Sequence, residues 1–138
     1  MHKTIATVTG GIGLGLLILI AGASVEAHHA FAAEFDANKP VQLTGKITRM
    51  EWINPHSWIT IDITTDDGAV ETWEIEAGAP NAMFRRGFTR DSLPVGTEVV
   101  VRGYQARDGS QRANGRDMTL PDGERLFLGS SRPGDAAD

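Results

Sequence analysis

Trp58-Ile59-Thr60-Ile61-Asp62-Ile63 alternates apolar with polar side chains, and a period of two confines a segment to a β-strand. Ile59, Ile61 and Ile63 share one face, which must find a core. Asp66-Asp67-Gly68 follows as a hairpin turn, and Val70 to Ala77 returns as a partner strand. That strand points Trp73 and Ile75, with Glu71, to one side and Thr72, Glu74 and Glu76 to the other. Upstream, Val41, Leu43 and Ile47 alternate with Gln42, Thr44, Lys46 and Thr48. Gly45 interrupts them, as at a bulge or sharp bend.

The pattern changes after Ala77. Ala79-Pro80-Asn81-Ala82-Met83-Phe84-Arg85-Arg86-Gly87 reads as a short helix, with proline in its first turn and glycine past its last. Leu93-Pro94-Val95-Gly96 turns the chain into a fourth strand, Glu98 to Tyr104, and Asp108-Gly109 turns it again. A last strand or pair of strands spans roughly Arg116 to Leu128, broken at Pro121-Asp122-Gly123. Three strands, a short helix and two or more strands is the order of the OB-fold, a small Greek-key barrel of about five strands. The rival is an open meander or sandwich with the helix on one end. A first strand with a central glycine favours the barrel, because that strand must serve both halves.

The N-terminal end reads as an export signal. Met1-His2-Lys3 is basic, Ile5 to Ile20 is apolar, and small residues follow. Val25-Glu26-Ala27 is the favoured cleavage site; Ala21-Gly22-Ala23 is an alternative. Ile5 to Ala23 also approaches the roughly 20 residues of a spanning helix, so an uncleaved anchor is the third reading. Gly10, Gly11, Gly13, Gly15 and Gly22 weaken such a helix. The expected organisation is a signal peptide at 1–27, a single OB-like barrel domain at 28–129 and a disordered tail at 130–138, in the periplasm or outside the cell. Contact with a membrane is expected only through an uncleaved leader.

Charge and composition narrow the function classes. A net charge of −5 opposes general binding to nucleic acid, where neutralised phosphates supply most of the affinity. With no cysteine, the fold has no disulfide, thiolate metal site or thiol chemistry. No phosphate loop, dinucleotide fingerprint or Gly-x-Ser-x-Gly elbow occurs, and no spacing pairs two carboxylates for acid–base work. The chain is expected not to be an enzyme.

His28-His29-Ala30-Phe31, Glu34-Phe35-Asp36, Gly45, Trp52-Ile53-Asn54-Pro55-His56, and Asp91-Ser92-Leu93 with Gly96 together resemble a family of small secreted bacterial proteins of unknown function. The resemblance spans essentially the whole mature chain. It implies an exported β-rich domain whose mature start lies at or near the paired histidines. It carries no activity, ligand or catalytic residue.

The candidate ligand-binding rim comprises Trp52, Asn54, His56 and Trp58 in the loop after the first strand, with Arg85 and Arg86 at the helix end. OB-folds bind ligands on such a rim, and tryptophan supplies stacking surface there. Core packing of the tryptophans, a structural Asn-Pro turn and a solvated helix end are the plainer readings. The expected partner is a protein or small molecule of the cell envelope, bound without a cofactor. The alternative is copper. A mature chain beginning at His28 chelates Cu(II) through its amine and ring, with His29 and His56 as further ligands.

Overall fold

The computed structural model describes residues 30–129. Six strands follow one another as β1 (Phe35–Glu51), β2 (Trp58–Thr64), β3 (Val70–Glu76), β4 (Glu98–Ala106), β5 (Arg112–Thr119) and β6 (Arg125–Phe127). The short helix Pro80–Arg85 lies between β3 and β4. The sheet runs β3-β2-β1-β4-β5-β6, and a further β3–β5 pairing closes it into a ring. That closing pair is parallel and joins Glu74–Glu76 to Arg112–Asn114, whereas the other pairs are antiparallel. The result is a small OB-like barrel.

β1 makes the closure possible. Its first half pairs with β4 up to Lys46, and its second half pairs with β2 from Lys46 onward. The expected disturbance at Gly45 takes a different form. The register shift lies between Ile47 and Arg49. Gly45 instead lets two backbones approach, since a Cβ there would lie 2.5 Å from the Asp62 carbonyl oxygen.

The alternating faces meet inside the ring. Ile47, Ile59, Ile61, Ile75, Val99, Val101, Ala113 and Met118 are fully or almost fully buried, and Met83, Phe88 and Leu128 plug the helix end. Burial of this apolar surface is the main force holding a domain without disulfides. Ile63 is only partly buried, because its strand leaves the barrel there for the hairpin turn at Gly68.

Two boundaries differ from the sequence pattern. β5 begins at Arg112, ahead of the expected Arg116. Arg-Ala-Asn-Gly has little strand preference of its own, and pairing with β3 on one side and β4 on the other imposes it. β1 begins at Phe35, well before Val41. A helical turn at 30–34 precedes it and packs on the outside of the barrel, where Phe31, Phe35, Tyr104 and Ala106 form a second small core. Arg107 fastens the same segment by donating from Nε to the Ala32 carbonyl at 2.6 Å and from its backbone N–H to the Glu34 carbonyl at 2.9 Å.

Candidate functional site

The β2–β3 ladder continues past its ends through Ser57, whose N–H donates to the Gly78 carbonyl and whose carbonyl accepts from Ala77. His56 is thereby held at the barrel rim, beside the last residue of β3. Its Nδ1 pairs with Oε1 of Glu76. Glu76 sat on the solvent side of the sequence pattern, yet it is only 4% exposed. The chain around it explains the difference: the parallel β3–β5 pairing and the segment at 30–35 cover the end of that strand.

His56 and Glu76 line a small cleft of about 100 Å³ with Asn114 of β5. Phe31, Glu34 and Phe35 form the opposite wall, and Ala30 lies at its edge. Burial pushes the Glu76 carboxyl above the ordinary carboxylate range. The pairing with His56 opposes that shift, nearby Glu34 adds to it, and Asn114 and Arg112 oppose it. Oε2 of Glu76 is buried without a hydrogen bond. A carboxylate in that condition is expensive to fold around, and a group that supplies donors or positive charge would satisfy it.

A polar chain extends from the cleft. Arg112 donates to Oε1 of Glu34 at 2.7 Å and sets its guanidinium 5.0 Å from the centre of the Trp58 ring. Glu74 lies 3.9 Å from Arg112 and 3.7 Å from Arg49. Trp58 therefore presents a cation-capped ring next to the cleft.

The other sequence candidates are placed elsewhere. Trp52 packs on Phe84 at 4.9 Å and on Phe88 at 6.5 Å, so it joins the helix to the core. Asn54 is exposed in the loop, and its bond to Pro55 is cis. Arg85 is exposed at the helix end, and Arg86 stacks on Phe127 at 4.9 Å. None of these four lines the cleft. His28 and His29 lie outside the described residues. Among the described residues, no group of three His, Cys, Asp or Glu side chains is placed to hold a metal ion.

Glu34, Glu76, Asn114 and Arg112 carried no site signal in the sequence. Glu34 lay within the quoted Glu34-Phe35-Asp36 motif, and Glu76 at the end of an alternating strand. Only the closure of the barrel brings them to His56.

A second charged cluster lies on β4, β5 and β6. Asp117 is buried, and it accepts from Arg102 Nε at 2.8 Å and from Arg125 Nη2 at 2.9 Å, with Arg116 Nε 3.6 Å away. Burial raises its carboxyl, but the hydrogen bonds and charges of Arg125 and Arg102 outweigh burial and hold it below the usual range. The cluster ties three strands together.

Over residues 16–115 the chain matches a family of unknown function, DUF6152. No curated protein matches it.

Proposed function

The chain belongs to that family, and because the family carries no assigned activity, we propose a function from the cleft itself: an exported, non-enzymatic binding module whose working site is the rim around His56 and Glu76. The observation that carries this reading is the Glu76 carboxylate, buried with Oε2 unbonded and turned to a cleft rather than into a paired core. Folding gains nothing from such a group, whereas a ligand with donors satisfies it. The cleft admits one small molecule, or one side chain of a protein partner in the cell envelope. Trp58 under Arg112 offers the flanking contact surface.

A binding role is favoured over catalysis because the neighbouring hydroxyl, Ser57, is fully buried and out of reach of an incoming group. The leader is consistent with a periplasmic or extracellular site of action, and the net charge of −5 with an uncharged or cationic ligand.

The test is an amide NMR titration of the secreted protein with fractionated small-molecule extract from the cell envelope. Shifts should gather at residues 31–35, 56, 76 and 114 and disappear in a folded Glu76→Gln variant. Shifts that gather instead around Arg102 and Arg116, or that survive the substitution, would refute the reading.

A further inference from the structure

We propose that the outer face of β4 and β5 carries a second binding site, for the dianion of a phosphate monoester gripped by Arg102 and Arg116. It shares no lining residue with the His56–Glu76 cleft and is independent of what that cleft binds.

A β-bulge builds the site. Arg102 pairs with Asp117, but the next residue, Gly103, pairs with Gly115, so Arg116 is an extra residue on β5. Strict alternation would put Arg116 and Asp117 on opposite faces of the sheet. The bulge instead brings Arg116 Nε to 3.6 Å from Asp117 Oδ2 and turns the side chain to the groove that Arg102 lines. Bulges re-aim side chains in this way, and they are over-represented beside working sites. Across the neighbouring ladder Gln42 faces Arg102 and Pro40 faces Tyr104. Directly opposed residues share a face, and here they wall a groove of about 280 Å³.

The cluster holds more positive charge than the fold uses. Three guanidinium groups surround the one carboxylate of Asp117, leaving an excess of two positive charges. Arg102 donates to Asp117 from Nε, and its two Nη nitrogens have no hydrogen-bond partner among the described residues. The Arg116 side chain makes no hydrogen bond among those residues. One bidentate arginine satisfies a carboxylate, and further cations beside it repel one another unless an anion sits between them. The Arg102 and Arg116 side chains are 42% and 38% exposed, so both are open to an incoming anion.

The chemistry of that anion follows from the groove. An excess of two positive charges matches a phosphate monoester, which is largely a dianion at pH 7 because its second pKa is about 6. Guanidinium forks present paired N–H donors that fit phosphate oxygens. Pro40 and Tyr104 line the same groove and suit the organic body of the ester. The net charge of −5 repels anions at long range. Salt screens that repulsion over about 8 Å, so contact with the two guanidinium groups decides the outcome.

The experiment is an NMR titration of the protein with phenyl phosphate and, separately, inorganic phosphate, at constant ionic strength. Saturable shifts should gather at residues 40–42, 102–104 and 115–117, with phenyl phosphate the tighter binder. Arg116→Gln should weaken binding about 10-fold, the scale of one hydrogen bond between charged groups. Arg116→Lys keeps the charge but loses the fork, and should weaken binding by less. Both variants should fold, since Asp117 keeps Arg102 and Arg125 as hydrogen-bond partners; if Arg116→Gln does not, Arg116→Lys carries the test. Arg85→Gln, at the exposed helix end, should leave the affinity unchanged. Vesicles containing phosphatidate, whose headgroup is a phosphate monoester, separate the sources. Sedimentation with them that depends on Arg116 assigns the site to a lipid headgroup; binding of phenyl phosphate alone assigns it to a soluble ester. The absence of saturable shifts would overturn the inference, as would unchanged affinity in a folded Arg116 variant. Equal weakening by Arg85→Gln would reduce the effect to general charge attraction and overturn it too. Inorganic phosphate binding as tightly as phenyl phosphate would overturn the assignment to an ester.

Discussion

The ring of Phe31 meets Tyr104 edge-on, with centroids 5.8 Å apart, and this contact fixes the chain's entry into the barrel at the cleft. Phe35 lies 5.9 Å from Phe31 and completes the clasp. Phe31 and Phe35 belong to the segment that supplies one cleft wall, so the small outer core and the site are mechanically one unit.

Phe31→Ala should therefore detach that wall without melting the barrel. The ring is 6% exposed, but its cluster is separate from the main core. The expected loss is about 2–3 kcal/mol, at or below the low end for a buried phenylalanine. Hydrogen exchange should accelerate at the Arg107 amide, which donates to Glu34, while the amides of β2 keep their protection. Equal acceleration in β2 would show that the segment and the barrel unfold together.

The β2–β3 hairpin was legible in the sequence because its strands alternate. Ile59 and Ile61 declare their face, and Asp66-Asp67-Gly68 declares the hairpin, with Gly68 at φ 82°. The site was less legible. His56 and Trp58 stood out by residue type, and both lie at or beside the cleft. Glu76 did not, because alternation assigns a face but does not say which chain later covers that face. Asn114 was hidden for the same reason: its strand exists through pairing rather than propensity. Trp52 packs on Phe84 rather than lining the cleft. Its place between strand and loop is compatible with rim and core alike, and only the Phe84 contact decides.

Gly103→Ala tests how tightly β4 and β5 are pressed together behind the cleft. A Cβ on Gly103 would collide with the backbone carbonyl of Asn114, which cannot swing away as a side chain does. The register shift beside it leaves no slack, since Gly103 pairs with Gly115 there. The cost should be about 3 kcal/mol, lowering the melting temperature by roughly 10 °C or more. Calorimetry of the variant checks this, and a shift of under a few degrees would show that the strands yield.

Asp117→Asn should remove the acid sensitivity contributed by the arginine cluster. The folded pKa is depressed, so the interaction is at full strength above the unfolded carboxylate value. It fades as pH falls through the lower, folded value. At neutral pH the substitution should cost about 2–3 kcal/mol, the scale of charge-assisted hydrogen bonds to a buried group. Below the folded pKa the two proteins should converge in urea midpoint. A gap that stays constant down to strong acid would mean that shape rather than charge holds Arg102 and Arg125 in place.

Glu76→Gln makes the opposite prediction, and the sign follows from the direction of its shift. Its folded pKa is raised, so folding favours the protonated form. Relative to an unperturbed carboxyl, stability is complete below the unfolded value and declines as pH rises through the folded one. Above its folded value the native protein therefore carries a buried charge that glutamine does not impose. The variant should melt a few degrees higher there, on the order of 1 kcal/mol in a domain of this size. As pH falls through the carboxylate range, wild type and variant should approach each other. The same variant should lose cleft binding. Stability gained where binding is lost separates a carboxylate held for a ligand from one held for the fold: a variant that melts lower at every pH would assign Glu76 to the architecture alone.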